Sequence, residues 1–307
     1  MQQASPRYRA PVRSEYAEIR CRSALNRVRG MHFEWSLNPY TGCSHRCTFC
    51  YVRAYERLAE RPADDGYGRT VRVKVNIAEV LGAELAQPSW KRDAVVVGPG
   101  TDPYQPAEGL YRLTRACLEA LAAHRNPFTV ITRGTLIVRD LDVLQEAARR
   151  AEVDVDFSIP TLDPEIWRRT EPGTPPPRQR LRALSRLVAA GIRAGVGLSP
   201  ILPGITDSPE QMADVVRAAR DAGATHLWGS LLNLRPGTRE HFLACLSRDW
   251  PEQRPRYERL FARSAYLPSS AGSALSEQLA RVRRRYPLRE PALIEPPGEP
   301  EQLALRI

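Results

Sequence analysis

Short apolar runs and helical segments alternate along the middle of the chain, and this alternation limits the folds that it can adopt. The predicted strands are residues 95–98, 128–132, 153–159, 194–202 and 225–232, after a first strand near Trp35–Tyr40. The predicted helices between them are residues 110–124, 140–150, 178–191 and 208–223. Strands that alternate with helices form a parallel sheet with right-handed crossovers. Six such units stop short of the eight that close a full barrel. The sequence therefore predicts an α/β fold, a partial (β/α)6 barrel with parallel strands.

The remaining segments are expected to flank this barrel. Residues 1–30 carry many charges without a clear period and are interpreted as an N-terminal extension, and the core barrel is placed at residues 31–235. Residues 236–290 are predicted to form a C-terminal helical extension, packed on the barrel or across its open side. Residues 291–307 are rich in proline and glutamate, which predicts a loose tail.

Three cysteines lie within eight residues, in the run TGCSHRCTFCY. They are Cys43, Cys47 and Cys50, in a Cys-x3-Cys-x2-Cys spacing with no fourth cysteine nearby. Thiolates this close can hold three irons of a [4Fe-4S] cluster, whose full ligation takes four cysteines. The fourth iron would then be open to an outside ligand, which favours chemistry over electron storage.

Zinc binding and disulfide formation are the two alternatives for these cysteines. A structural zinc site normally takes ligands from two separated knuckles, and this chain has one, with Cys21, Cys117 and Cys245 single and scattered. Disulfides fit poorly, because the start of the chain shows no apolar signal segment and crowded cysteines suit a reducing compartment. We therefore expect a cytoplasmic protein, and no apolar run approaches the length that spans a membrane.

The cysteine motif, with Phe49 before its last cysteine, resembles that of the radical S-adenosylmethionine (SAM) superfamily. Further stretches are similar to the branch of DNA repair photolyases, which is related to spore photoproduct lyase: NPYTGCSHRCTFCYVRAY, RVKVN (72–76), GTDPYQPAE (100–108), SIPTLDPEIWRRTEP (158–172) and LSPILPGITD (198–207). The resemblance implies a partial (β/α)6 barrel, a [4Fe-4S] cluster and SAM as cofactors. It also implies an electron donor such as flavodoxin or ferredoxin.

The same resemblance implies roles for single residues. Cys43, Cys47 and Cys50 would ligate the cluster, and the chain around Phe49 would lie along the adenine of SAM. Thr101 and Asp102 would also contact SAM, because their segment faces the methionine amino group in the family, although the family's Gly-Gly-Glu pattern is absent here. Ser158 would contact the ribose hydroxyls of SAM. Arg180 would pair with the SAM carboxylate, since a guanidinium suits bidentate carboxylate recognition.

Four polar residues in the branch-specific stretches are expected on the substrate side of the site. They are Lys74, Asn76, Tyr104 and Glu108. Nothing in the sequence gives these side chains a structural partner, which is why they are candidates for substrate contact.

The charge of the chain bears on the substrate. The formal net charge is +10 and the isoelectric point is about 9.6, which favours a polyanion such as nucleic acid. We expect a radical SAM enzyme that cleaves SAM reductively to a 5′-deoxyadenosyl radical, which abstracts hydrogen from a nucleic-acid base or lesion, as a DNA repair lyase would. Two alternatives stay open: a radical SAM enzyme for a peptide or small metabolite, and a non-enzymatic nucleic-acid-binding protein with zinc or a cluster.

Overall fold

The computed structural model of this protein describes residues 14–288 and 292–294 of the 307-residue chain. Its strands, β1 to β10 in chain order, are Glu15–Ile19, Leu25–Arg27, Trp35–Leu37, Tyr40–Thr41, Thr70–Lys74, Val95–Val97, Phe128–Thr132, Val153–Ser158, Arg193–Ile201 and Leu227–Leu231. Its α-helices, α1 to α11, are Val52–Leu58, Ile77–Leu85, Pro106–Tyr111, Leu113–Ala123, Leu141–Ala148, Pro164–Thr170, Pro177–Ala189, Pro209–Asp221, Thr238–Asp249, Arg254–Leu260 and Ser269–Arg285. Short 3-10 helices cover Thr135–Asp140 and Pro251–Gln253. Within these described ranges, no helix combines the length and the apolar character that crossing a membrane requires.

The main sheet consists of parallel strands in the order in which they occur along the chain. Strands β3, β6, β7, β8, β9 and β10 lie side by side, and β2 pairs antiparallel with β3. Parallel neighbours need a crossover connection, and helices supply it between successive strands. The sheet ends at β10 and β2 without closing. This confirms the predicted α/β fold, a partial (β/α)6 barrel, and the C-terminal helices α9 to α11 follow it.

The two faces of the main sheet differ in chemistry. Along β8, Val155 and Phe157 are fully buried. They belong to the same hydrophobic core as Leu184 of α7, on the face of the sheet that the helices cover. Asp156 and Ser158 alternate with them and therefore lie on the opposite face, since successive side chains of a strand point to opposite sides. We call this opposite face, which lines the inside of the partial barrel, the inner face.

The helix predicted at residues 110–124 begins later than expected. The structure has α3 and α4 in this region, separated by Arg112, whose left-handed backbone (φ 52°) ends one helix and starts the next. A left-handed residue interrupts the α-helical hydrogen-bond ladder, so the apolar spacing alone overestimated the length of the helix.

A second sheet was not predicted. It has the order β1-β5-β4, with β1 parallel and β4 antiparallel to β5. Strands β1 and β2 both lie within residues 1–30, so part of the expected N-terminal extension pairs with the rest of the fold. The division of the chain at residues 30, 235 and 290 stays a prediction. The expected loose tail, residues 291–307, lies outside the described residues except for 292–294.

Candidate active site

The cysteine loop, residues 38–51, follows β3 and lies at the carboxyl ends of the parallel strands. Cys43, Cys47 and Phe49 are buried, and Cys50 is half-buried. In parallel α/β folds this end of the sheet is where ligands bind, because the loops that leave the strands converge there.

Gln105 clamps the cysteine loop to the loop that follows β6. Its side chain is fully buried, and its Oε1 accepts a hydrogen bond from the Ser44 backbone N–H at 2.9 Å. Its Nε2 donates to the Gly42 carbonyl at 3.2 Å and to Thr101 Oγ1 at 2.9 Å, and Thr101 Oγ1 donates to the same carbonyl at 2.7 Å. The side chain of Thr101 therefore holds the loop, and its expected contact with SAM stays a prediction. Sequence analysis missed Gln105, although it lies in the stretch GTDPYQPAE.

Arg53 supports the same loop from its other side. This fully buried arginine donates to the Cys47 carbonyl from Nε at 3.3 Å and from Nη2 at 3.2 Å, and from Nη1 to the carbonyls of Ala63 and Asp64 at 2.9 and 2.6 Å. Its guanidinium lies 4.6 Å from the centroid of the Tyr67 ring. Carbonyls that would otherwise be unpaired in the interior are thereby satisfied, which fixes the path of the chain around Cys47.

The three thiols lie close enough to influence one another's ionisation. Burial raises the pKa of Cys43 well above its usual range, and Asp102 and the other two cysteines raise it further. Burial also raises the pKa of Cys47 to about 12, although the nearby positive charge of Arg133 lowers it. Ligand thiols bind metal as thiolates, so binding must displace their protons.

The donor set suits the implied iron–sulfur cluster. Soft thiolate ligands favour iron–sulfur clusters or zinc, and here three of them come from one buried loop with a cation beside Cys47. Across residues 14–288 and 292–294, no group of three histidine, cysteine, aspartate or glutamate side chains is placed to hold a metal ion. The role of the three cysteines as ligands of a cluster stays a prediction.

Arg133, the residue that follows β7, links three parts of the rim. Its guanidinium lies 5.6 Å from the centroid of the Phe49 ring, while Nε donates to Glu171 Oε1 at 2.6 Å and Nη2 to the Ser199 carbonyl at 2.8 Å. Sequence analysis missed this residue, although a charged side chain directly after a predicted parallel strand was a usable signal.

Arg180 lies in a buried ion pair with Glu171. It is fully buried, and its Nη1 donates to the Ser158 carbonyl at 2.8 Å and lies 3.1 Å from Glu171 Oε1. Its Nε donates to the Pro175 carbonyl at 2.9 Å, and Nη2 donates to the hydroxyl of Thr174. In this structure the carboxylate that Arg180 binds belongs to the protein, and the expected contact with the SAM carboxylate stays a prediction.

Asp102 likewise organises the rim. Its Oδ1 accepts from Thr132 Oγ1 at 2.7 Å and from the Tyr104 N–H at 2.9 Å, and its Oδ2 accepts from the Arg133 N–H at 2.7 Å. His45 Nδ1 lies 3.1 Å from Oδ2, outside ordinary hydrogen-bond alignment. Burial favours the neutral acid, but His45 and these hydrogen bonds outweigh it and lower the pKa of Asp102 to about 2. Asp102 therefore supports the rim, and its expected contact with SAM stays a prediction.

Ser158 keeps a group that a ligand could use. Its backbone carbonyl accepts from Arg180, but its hydroxyl has no hydrogen-bond partner among the residues that the structure describes. It ends β8 on the inner face, next to the rim. The expected contacts of Ser158 with the ribose and of Phe49 with the adenine stay predictions.

Glu108 and Tyr104 have buried protein partners. Glu108 is fully buried and accepts from Tyr40 OH at 2.5 Å, from Arg139 Nη2 at 2.8 Å and from the Thr114 N–H at 2.8 Å. The Tyr104 hydroxyl donates to Asp140 Oδ2 at 3.1 Å. Both side chains therefore have partners within the protein, and their expected place on the substrate side stays a prediction.

Asn76 and Lys74 also contact the backbone. The Asn76 side chain accepts from the Cys21 N–H at 2.8 Å and donates to the Cys21 carbonyl at 2.9 Å, which attaches the segment after β1 to the start of α2. Lys74 Nζ donates to the Asn38 carbonyl at 2.9 Å. Asn76 therefore links two segments of the fold, and Lys74 supports the start of the cysteine loop. The expected substrate contacts of both residues stay predictions.

The sequence matches a family model. The model described as Radical SAM superfamily matches residues 37–229. An uncharacterized protein of Mycobacterium tuberculosis is 41% identical over 277 residues, which cover 89% of this chain and 81% of that protein. An uncharacterized protein of Acidianus two-tailed virus is 30% identical over 224 residues, 69% of this chain and 71% of the relative. A radical SAM Nalpha-GlyT isomerase of Pseudomonas phage M6 is 27% identical over 170 residues, 54% of this chain and 33% of that protein.

Solved structures share the fold. A spore photoproduct lyase complexed with dinucleoside spore photoproduct superposes with a TM-score of 0.67 at 14% identity, covering 88% of this chain and 79% of that chain. A variant of the lyase with bound AdoMet and dinucleoside spore photoproduct gives a TM-score of 0.66 at 14% identity, covering 88% and 78%. At this identity the likeness concerns the arrangement of helices and strands.

Removing the Glu108 carboxylate should destabilise the protein. In Glu108→Ala, Arg139 and Tyr40 lose their buried partner, so we expect the free energy of unfolding to fall by about 3–5 kcal/mol in urea titrations. Glu119→Ala is the matched control, because this carboxylate is half exposed in an i,i+4 pair with Arg115 and should cost about 0–1 kcal/mol. Equal losses in the two variants would contradict the structural role of Glu108.

Anaerobic reconstitution tests the cysteine loop. We expect about four irons and four sulfides per chain. Replacing Cys43, Cys47 or Cys50 by alanine should remove the cluster, as measured by iron content and absorption. Cys117→Ala and Cys245→Ala are the controls and should retain it, because these thiols lie in α4 and α9. Stoichiometric zinc without iron in the anaerobic protein would refute the cluster assignment.

Proposed function

This chain belongs to the radical SAM superfamily, and we propose that Cys43, Cys47 and Cys50 hold its [4Fe-4S] cluster and that its substrate is a nucleic-acid base or lesion. Enzymes of this superfamily use that cluster with SAM. The observation that carries the proposal is the set of three buried thiols on one loop at the carboxyl ends of a partial barrel.

The chain's own residues would position the reactants and exclude water. Cys43, Cys47 and Cys50 would hold a cluster whose chemistry, when it is bound and reduced, is one-electron reduction of SAM to give methionine and a 5′-deoxyadenosyl radical. Gln105 and Arg53 hold the cysteine loop in one conformation, and Phe49 and Arg133 cover it beside Cys47. Ser158 would hold a ribose hydroxyl. In such catalysis the protein contributes by excluding water and by holding the reactive group near one substrate atom.

An exposed aromatic and cationic surface adjoins the cysteine loop and supports a nucleic-acid substrate. We call Tyr55, Arg235 and Tyr266 the rim patch. Tyr55 and Tyr266 are 48% and 54% exposed, and the Arg235 guanidinium lies 5.8 Å from the Tyr266 ring centroid. Tyr55 packs against Tyr51, one residue beyond Cys50, with ring centroids 6.1 Å apart. Aromatic rings combined with arginine are typical of surfaces on which unpaired bases stack.

The net charge and the structural relative support the same substrate class. A formal charge of +10 attracts a polyanion and raises its encounter rate. The lyase with the same fold binds a dinucleoside photoproduct. We therefore propose a lyase-like reaction on a base or base lesion, started by hydrogen abstraction.

Reductive cleavage of SAM tests the enzyme assignment. With dithionite and no substrate, the reconstituted protein should slowly form 5′-deoxyadenosine and methionine, measured by chromatography, and Cys47→Ala should abolish this. Ser158→Ala should keep its iron and weaken SAM binding by about 1 kcal/mol, the typical contribution of one hydrogen bond. Ser273→Ala, on the exposed side of α11, is the control. The assignment fails if a reduced, fully loaded cluster leaves SAM intact.

Salt dependence tests the substrate class. Affinity for a single-stranded oligonucleotide, measured by fluorescence anisotropy, should fall steeply with salt because phosphate contacts release counterions. Arg235→Ala should weaken binding and reduce the slope by about 0.7 on a log–log plot. Arg149→Ala is the matched control, since this exposed arginine precedes β8 at the opposite end of the barrel. A flat salt response would favour a peptide or small metabolite as substrate.

A further inference from the structure

A tryptophan lies on the inner face, on the edge strand of the parallel sheet. Trp228 belongs to β10 and alternates with Leu227, which is buried in the hydrophobic core against the helices. It therefore points to the same face as Asp156 and Ser158. The side chains of the core face are fully buried, whereas Trp228 keeps partial exposure. Part of the indole is thus accessible inside the barrel.

A buried carboxylate fixes the orientation of this indole. Trp228 Nε1 donates to Asp156 Oδ1 at 2.6 Å, and His226 Nε2 lies 2.9 Å from the same oxygen. His226 Nδ1 in turn lies 2.8 Å from Thr225 Oγ1. The polar edge of the indole is thereby occupied by protein, so what remains for a ligand is its aromatic face.

Gly197 lets the indole lie across the neighbouring strand. In the register of the sheet, Gly197 of β9 is paired with Trp228 on one side and with Ser158 on the other. A Cβ at Gly197 would lie 2.6 Å from Cζ2 of Trp228, so any side chain there would displace the ring. Gly195, two residues earlier, leaves room for His226 in the same way. The ring therefore extends over β9 to Asp156 of β8.

We propose that Trp228 is the platform on which an unstacked base of the nucleic-acid substrate stacks inside the barrel, an inference that rests on the proposed function. An aromatic face with its N–H occupied binds planar rings of any base, because every base has a π-face. Enzymes that act on a base take it out of the stack into a pocket. Trp228 lies on β10, the edge strand of the parallel sheet, and its register places it level with Gly197 and Ser158 on the inner face.

Binding to the anaerobically reconstituted protein tests this platform. Trp228→Ala should lower the affinity for a single-stranded oligonucleotide by about 5- to 150-fold, the usual effect of losing one base stack. Trp228→Phe should lose less affinity, since it retains an aromatic ring. The affinity of Asp156→Ala should lie between those of the two Trp228 variants, because its indole is no longer anchored. Trp90→Phe is the control, on the far side of the barrel next to Asn126. Circular dichroism and urea midpoints of all variants identify any loss that comes from unfolding.

Two further arms make the result specific. An oligonucleotide with abasic sites should bind the wild-type protein more weakly, and Trp228→Ala should add no further loss. SAM affinity, measured by calorimetry, should be unchanged in Trp228→Phe and Trp228→Ala. If both Trp228 variants bind the oligonucleotide with wild-type affinity, the proposed role of Trp228 is wrong. It is also wrong if SAM affinity falls as much as oligonucleotide affinity, because the indole would then belong to the cofactor site. If the wild-type protein binds no oligonucleotide at low salt, the proposed substrate class itself fails, and the inference with it.

Discussion

The rim of the barrel depends on one buried carboxylate, Glu171, held between two arginines. Glu171 and Arg180 are fully buried, and Arg133 reaches the same carboxylate from the end of β7. The residues around it also hold the cysteine loop, because the Thr48 N–H donates to the Thr170 carbonyl at 2.8 Å and the Gly173 N–H to the His45 carbonyl at 3.1 Å. Loss of one member of a buried ion pair leaves an uncompensated charge, so the strand ends and the loop are fixed together.

The partial barrel could be predicted because its strands and helices have local patterns. Residues 95–97 form a short apolar run, apolar side chains recur at every second residue of 153–158, and the period of the helices between the strands is visible in the sequence. The sheet β1-β5-β4 could not be predicted in this way, because β1 and β5 pair across about 55 residues of chain and β4 and β5 across about 30. Their conformation depends on distant partners that a local pattern does not contain.

The candidate site was only partly predictable for the same reason. The cysteines carry their chemistry in their spacing, so they could be named from the sequence. Asp102, Glu108 and Arg180 are polar residues whose partners are distant in sequence or hidden by the fold, and each proved to be satisfied by protein. Gln105 and Arg133 were missed because nothing local shows that their side chains reach the cysteine loop and Glu171. Polarity in a rim loop therefore indicates a role at the rim, but it does not distinguish ligand contact from support.

The charges around Cys47 affect how readily its thiol becomes a thiolate. Arg133 and Arg180 carry two positive charges against the single carboxylate of Glu171, so the group contributes one net positive charge beside the sulfur. Burial opposes thiolate formation at Cys47, while both arginines favour it. A nearby positive charge stabilises a thiolate, and it does so more strongly where water is excluded. The same ion-pair network that fixes the rim thus also offsets part of the cost of burying an anionic ligand set.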